Sequence, residues 1–155
     1  MNEPPQGYDR AKAMTYALYL LSRRMMTEAQ VRHKLRGKGA TDEVVAEVLS
    51  RLKNLGYLDD GAFAETYLKS RARKKGALAL RRELLHKGVP EEVAKAQLAQ
   101  LSDEAQLEAA LAVLAKEAWR FGGDRRKAYA FLARRGFPGE VVMAALERGF
   151  GEREP

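Results

Sequence analysis

The sequence contains no cysteine and no isoleucine, and its 155 residues include one tryptophan, two histidines, four threonines and nine valines. Without cysteine there is no disulfide framework, no thiolate metal site and no cysteine nucleophile. The shortage of β-branched residues, set against 25 alanines and 20 leucines, disfavours pleated sheet. It favours helix, where alanine and unbranched side chains lose least conformational entropy. No apolar run approaches the ~18 residues of a membrane-spanning helix. The opening MNEPPQGYDR has neither the basic nor the apolar stretch of a secretory signal. These absences lead to the expectation of a soluble, cytoplasmic, monomeric, all-α protein with no membrane partner.

What is present is an ordinary globular balance, 46% hydrophobic and 32% charged residues, with a formal net charge of +7. The excess is localised. Lys69, Arg71, Arg73, Lys74, Lys75, Arg81, Arg82 and Lys87 stand against the single acid Glu83, so residues 69–87 carry as much imbalance as the whole chain. A field centred there suits an acidic protein surface or the phosphates of single- or double-stranded DNA, and either partner would be held in a salt-dependent way. These eight cations are the candidate partner-binding residues.

Aligning the chain on its basic residue–glycine pairs exposes a repeat: LRGKGATDEVVAEVL (35–49), LLHKGVPEEVAKAQL (84–98) and LARRGFPGEVVMAAL (132–146). Gly39, Gly88 and Gly136 are 49 and 48 residues apart, each with Leu four before, Glu four after, Val five after and Leu ten after. Such a period marks stacked supersecondary units, here three helices each. The glycine reads as the left-handed residue that ends one helix, and the next helix starts almost at once. Thr41 reads as an N-cap, Pro90 and Pro138 as first helical residues, and Thr27 to Gln30 as a capping box. Further apolar stripes fall at Phe63, Thr66 and Tyr67, and at Leu107, Leu111, Leu114 and Ala118. The expected organisation is a flexible start (1–9), three-helix repeats at 10–56, 57–101 and 102–149, and a flexible end (150–155). A trio this small buries little area alone, so the repeats are expected to share apolar faces and stack into an elongated, curved body.

Enzymatic constellations are nearly absent. His33 and His86 occupy non-equivalent repeat positions, with no nearby histidine to complete a metal pair, and read as solvent-facing helix residues. Gly37-Lys38-Gly39 lacks the strand and the earlier glycine of a phosphate loop and reads as a helix end. Glu43, Glu92 and Glu140 fit first-turn positions that complement the helix dipole. No catalytic residue, cofactor site or metal site is assigned. Tyr57, Phe63 and Tyr67 lie near the cations, but their spacing favours core packing over base stacking. A stand-alone DNA-binding module, using the helix-turn-helix corners and a basic groove, is the alternative to a protein-binding regulator.

Residues 26–89 contain, in order, Gly56-Tyr57-Leu58-Asp59-Asp60, Phe63-Ala64, Tyr67, Ser70-Arg71, Glu83-Leu84 and Lys87-Gly88-Val89. In that order and spacing the stretch resembles the RecX family of bacterial regulators. The resemblance implies a non-enzymatic modulator of the RecA recombinase, built of three tandem three-helix repeats. Such a modulator lies in the groove of the recombinase–DNA filament and restrains its growth, ATP hydrolysis, strand exchange and SOS coprotease activity. On the resemblance, Arg71, Arg73, Lys74, Arg81 and Lys87, with Arg82 beside them, dock electrostatically. The third repeat has no counterpart of the 56–60 motif. Leu58, Phe63, Leu84 and Val89 read as core.

Overall fold

The computed structural model describes residues 8–150. They form nine α-helices and no strand: α1 (Arg10–Arg23), α2 (Glu28–Gly37), α3 (Asp42–Asn54), α4 (Asp60–Arg71), α5 (Ala77–His86), α6 (Glu91–Leu98), α7 (Asp103–Lys116), α8 (Arg125–Arg134) and α9 (Gly139–Gly149). A short 3₁₀ helix, Ala118–Arg120, follows α7. The expected helical trios are present, but the compact bodies cut across them. One body takes residues up to 63 together with 86–90, and the other takes 64–85 together with everything from 91.

In the first body, α1 to α3 close on Ala13, Ala17, Val31, Leu35, Val45, Val48, Leu49 and Leu52. Each helix is capped locally. Asp9 accepts the Lys12 N–H, Thr41 accepts the Val44 N–H, and Thr27 with Gln30 forms a reciprocal capping box. At the first repeat corner Gly39 takes φ +95°, with its N–H on the Arg36 carbonyl and the Ala40 N–H on the Leu35 carbonyl. This is the paired bonding of a left-handed helix end, and only glycine meets it without strain.

The 56–60 motif is structural. Leu58 is buried, and the Asp59 carboxylate accepts the Ala62 N–H (3.0 Å) to open α4. Asp60 reaches back to accept the Glu28 N–H (2.9 Å), one of the donors left unpaired at the start of α2. Burial pushes the Asp60 carboxyl above the usual aspartate range, against the lowering effect of that hydrogen bond. The 86–90 turn belongs to this body too. The fully buried Thr27 hydroxyl donates to the Lys87 carbonyl at 2.7 Å. Gly88 lies so close to α2 that a Cβ there would meet the Ala29 Cβ at 2.5 Å.

The second body is centred on α7, α8 and α9, around Ala110, Val113, Leu114, Phe121, Ala128, Leu132, Phe137, Val142 and Leu146. Leu132 and Leu84, like Leu35 in the first body, have no exposed surface, and burying each such side chain contributes about 1.5–3 kcal/mol. The turn before α5 docks backbone-to-backbone on the third repeat corner. The Gly76 N–H meets the Arg135 carbonyl and the Leu78 N–H meets the Gly136 carbonyl, both at 2.9 Å. A Cβ at Gly136 would fall 2.3 Å from the Ala79 Cβ and 2.4 Å from its nitrogen.

Several expectations need correction. Pro90 and Pro138 precede α6 and α9 by one residue, because the first helical φ/ψ pair belongs to Glu91 and Gly139. Thr66 faces solvent. The buried face of α4 runs through Phe63, Ala64 and Leu68, with Tyr67 half-buried, since the i, i+4 pairs 63/67 and 64/68 share one side. Tyr57 is 58% exposed rather than core, because the turn that buries Leu58 points its neighbour outward. Ala118 is exposed because α7 ends at Lys116; Leu114 is buried as expected, Leu107 and Leu111 are partly buried against the same core, and Ala109, Ala110 and Val113 complete the stripe. Of the ends expected to be frayed, 1–7 and 151–155 lie outside the described residues. Tyr8, by contrast, packs edge-on to Tyr16, and Phe150 packs on the second core.

Candidate partner-binding site

The eight cations of residues 69–87 do not form one equivalent set. Lys69 pairs with Glu65 one helical turn earlier (3.5 Å). Arg71 lies 4.0 Å over the Tyr67 ring and donates to the Ser70 hydroxyl (2.8 Å). Lys75 is bound to Glu83 at 2.5 Å, and Arg81 to Glu91 at 2.6 Å. Lys87 falls in the other compact body, with its carbonyl tied to Thr27. The remaining three, Arg73 and Lys74 on the turn after α4 and Arg82 on α5, are exposed. Their side chains have no hydrogen bond or ion pair with any described residue. An exposed ion pair contributes at most about 1 kcal/mol to stability, so the consequence of this sorting is for charge available to a partner rather than for the fold.

Around Glu83 the polar groups form a chain. Its two carboxylate oxygens accept Tyr67 Oη–H (2.6 Å) and Lys75 Nζ–H. Burial alone would raise the Glu83 carboxyl, but the hydrogen bonds from Lys75 and Tyr67 outweigh it and hold the group below the usual glutamate range. The Tyr67 phenol is pushed up to about 12, first by burial and then by the carboxylate it must donate to. The only acid of the cationic run is thus a strut that fixes Lys75 beside Gly76.

His33 and His86 are both exposed, as expected, yet they are not remote from each other. They line one cleft with Arg24, Gln30, Lys34 and Lys87, because the Thr27–Lys87 bond brings the 86–88 turn onto α2. Among the described residues no three metal-ligating side chains come together, and no helix is long and apolar enough to cross a membrane.

Sequence reasoning missed a second cationic stretch. Arg120, Arg125, Arg126, Lys127, Arg134 and Arg135 face a single acid, Asp124, over residues 120–135. Its excess was concealed because acids elsewhere in the chain cancel it in the total.

With this geometry in place, comparison with known proteins is decisive. Residues 13–52, 59–98 and 103–146 match, in order, the first, second and third three-helix domains of RecX. The chain belongs to the RecX family. It is 42% identical over 135 residues to the regulatory protein RecX of Thermus thermophilus, spanning 87% of this chain and 90% of that one. It is 35% identical over 141 residues to the regulatory protein RecX of Deinococcus radiodurans, spanning 88% and 68% respectively. The crystal structure of RecX from Lactobacillus salivarius shares the fold, with a TM-score of 0.86 at 24% identity over 91% of this chain and 96% of that one. A second crystal structure of a regulatory protein RecX superposes with a TM-score of 0.80 at 28% identity, over 89% and 71% of the two chains. The motif at residues 56–60 that carries the resemblance works as a capping device in this chain, opening α4 and closing the start of α2.

Proposed function

We propose that this RecX-family chain binds the RecA recombinase filament on DNA and restrains filament growth, and through it ATP hydrolysis, strand exchange and SOS coprotease activity. It does so in the cytoplasm, as a regulator with no cofactor and no reaction of its own. The observation that carries the reading is the family match across all three repeats. The unpaired Arg73, Lys74 and Arg82 supply a docking charge that costs the fold little to change, since exposed side chains of this kind usually shift stability by no more than about 0.5 kcal/mol.

The test is ATP hydrolysis by the recombinase on single-stranded DNA, measured as this protein is added. Inhibition that saturates, and that weakens as salt screens the contact, is expected. Reversing Arg73, Lys74 and Arg82 together to Glu should raise the concentration needed at least tenfold while the melting temperature stays close to that of the parent. Absence of inhibition at saturating protein and low salt rejects the reading.

A further inference from the structure

The sole tryptophan, Trp119, is 75% exposed, the largest exposure among the described large hydrophobic residues. It stands on the 3₁₀ turn between α7 and α8 with Arg120 beside it. The Arg120 guanidinium lies 5.0 Å from the indole ring and 5.3 Å from the Phe131 ring, and Glu117 holds it from behind. Next to this pair is a cleft of about 230 Å³ lined by Arg120, Lys127, Phe131 and Arg134, with Phe121 and Ala130. Lys127, Phe131 and Arg134 share one face of α8 at i, i+4 and i+7 spacing. The cleft wall therefore alternates cation, ring and cation, and no carboxylate lines it.

The helix that presents these cations pays for them in local stability. Six helices open with an acid in the first turn, where it complements the helix dipole, and α1, α5 and α8 do not; α1 opens Arg-Ala-Lys and α5 Ala-Leu-Ala, so only α8 begins with three consecutive cations. α8 opens with Arg125, Arg126 and Lys127 instead. Its terminal amides are already satisfied by Asp124, which accepts the Arg126 and Lys127 N–H groups. The three cations thus neither cap the helix nor favour it, and a local rule broken without a structural gain marks a functional surface.

We infer that this face of the third repeat binds single-stranded nucleic acid, with a base stacked on Trp119 and the flanking phosphates held by Arg120, Lys127 and Arg134. An exposed indole offers a π-face that any base can use, and the adjacent cations follow the backbone. Duplex DNA, whose bases are already stacked on each other, cannot use the indole. A protein partner would have to supply acids of its own, because of the six cations of residues 120–135 only Arg120 has an ion-pair partner among the described residues, Glu117; quenching by recombinase alone would reveal such a partner. The face adjoins the turn after α4, since Arg135 lies over the Phe131 ring and donates to the Lys74 carbonyl at 2.8 Å, and binding without recombinase distinguishes its failure from that of the filament reading.

The experiment uses the full chain without recombinase. Titrating a short oligothymidylate at low salt should quench the fluorescence of Trp119, the only tryptophan, saturably and reversibly on adding salt, and a duplex of equal length should quench far less. By anisotropy of a labelled oligothymidylate, Trp119→Ala should weaken binding about tenfold, Trp119→Phe less, and Lys127→Glu with Arg134→Glu more than tenfold. The Arg73, Lys74 and Arg82 reversal should weaken binding less than either the Trp119→Ala or the Lys127/Arg134 reversal. Circular dichroism confirms that each variant folds. Absence of quenching, equal quenching by duplex, equal loss from the 73/74/82 reversal, or quenching only when recombinase is added without nucleic acid would each overturn the inference, the last by assigning Trp119 to a protein interface.

Discussion

The three repeat corners have nearly the same backbone and very different surroundings. Gly39, Gly88 and Gly136 sit at φ +95°, +96° and +92°. Around Gly39, however, a Cβ would meet nothing within 4 Å, whereas at Gly88 it would strike Ala29 and at Gly136 it would strike Ala79. The same glycine therefore answers two demands. At the first corner it only relieves left-handed strain, while at the second and third it also lets the backbone lie against the middle helix of the preceding repeat. A repeated motif has a docking role at two of its three copies.

The sharpest way to break this comparison is to add one methyl group at each corner. Gly136→Ala should cost about 3–5 kcal/mol in chemical denaturation, because strain is joined by a clash with the Ala79 backbone that no rotamer relieves. Gly39→Ala should cost only about 1–2 kcal/mol, the strain alone. Equal losses would mean that the close approach at Gly136 contributes nothing.

The next test replaces the threonine caps. Thr27→Ala removes a helix cap and also the hydroxyl that donates to the part-buried Lys87 carbonyl, so a loss of about 2–3 kcal/mol is expected. Thr41→Ala, at the exposed cap after Gly39, should lose about 1 kcal/mol. Acid should then separate the corners by hydrogen exchange. The Glu83 carboxyl is depressed in the folded state, so its contribution is complete above the ordinary glutamate value of 4.5 and is lost as pH falls through the lower folded value. Because Glu83 holds Lys75 next to Gly76, protection of the Gly76 and Leu78 amides should fall over that window before protection of the Gly39 and Ala40 amides. The smallest effect is a gain. Gly37, in the last turn of α2, has no neighbour within 4 Å of a built Cβ and no left-handed φ, so Gly37→Ala should stabilise by about 0.5–1 kcal/mol.

The periodicity made these corners legible in the sequence, because strain at a helix end is a local property and glycine is its local answer. The fully buried Leu35, Leu84 and Leu132 were legible for the same reason, each lying four residues before its glycine. What the sequence could not display is who completes a neighbour's hydrogen bonds. Asp60 lies 32 residues from the Glu28 amide it accepts, and Gln106 lies 29 residues from the Ala77 amide. Spacing rules reach one or two helical turns and no further. The cationic run was visible as charge but not as availability: Arg81 finds Glu91 ten residues on and Lys75 finds Glu83 eight residues on, leaving three unpaired cations where eight were counted. Trp119 was overlooked because its meaning lies in its exposure, which no apolar pattern encodes.

The start of α5 carries a consequence for how the chain is made. Its leading amides are met by Gln106 and by the carbonyls of Arg135 and Gly136, all of which come later in the chain. On the ribosome, α5 must emerge with its opening turn bonded to water, since Gln106 follows Ala77 by 29 residues and Gly136 follows Leu78 by 58. The second repeat is therefore completed retroactively, by the segment synthesised after it, and a nascent chain released before residue 136 would leave that turn unfinished.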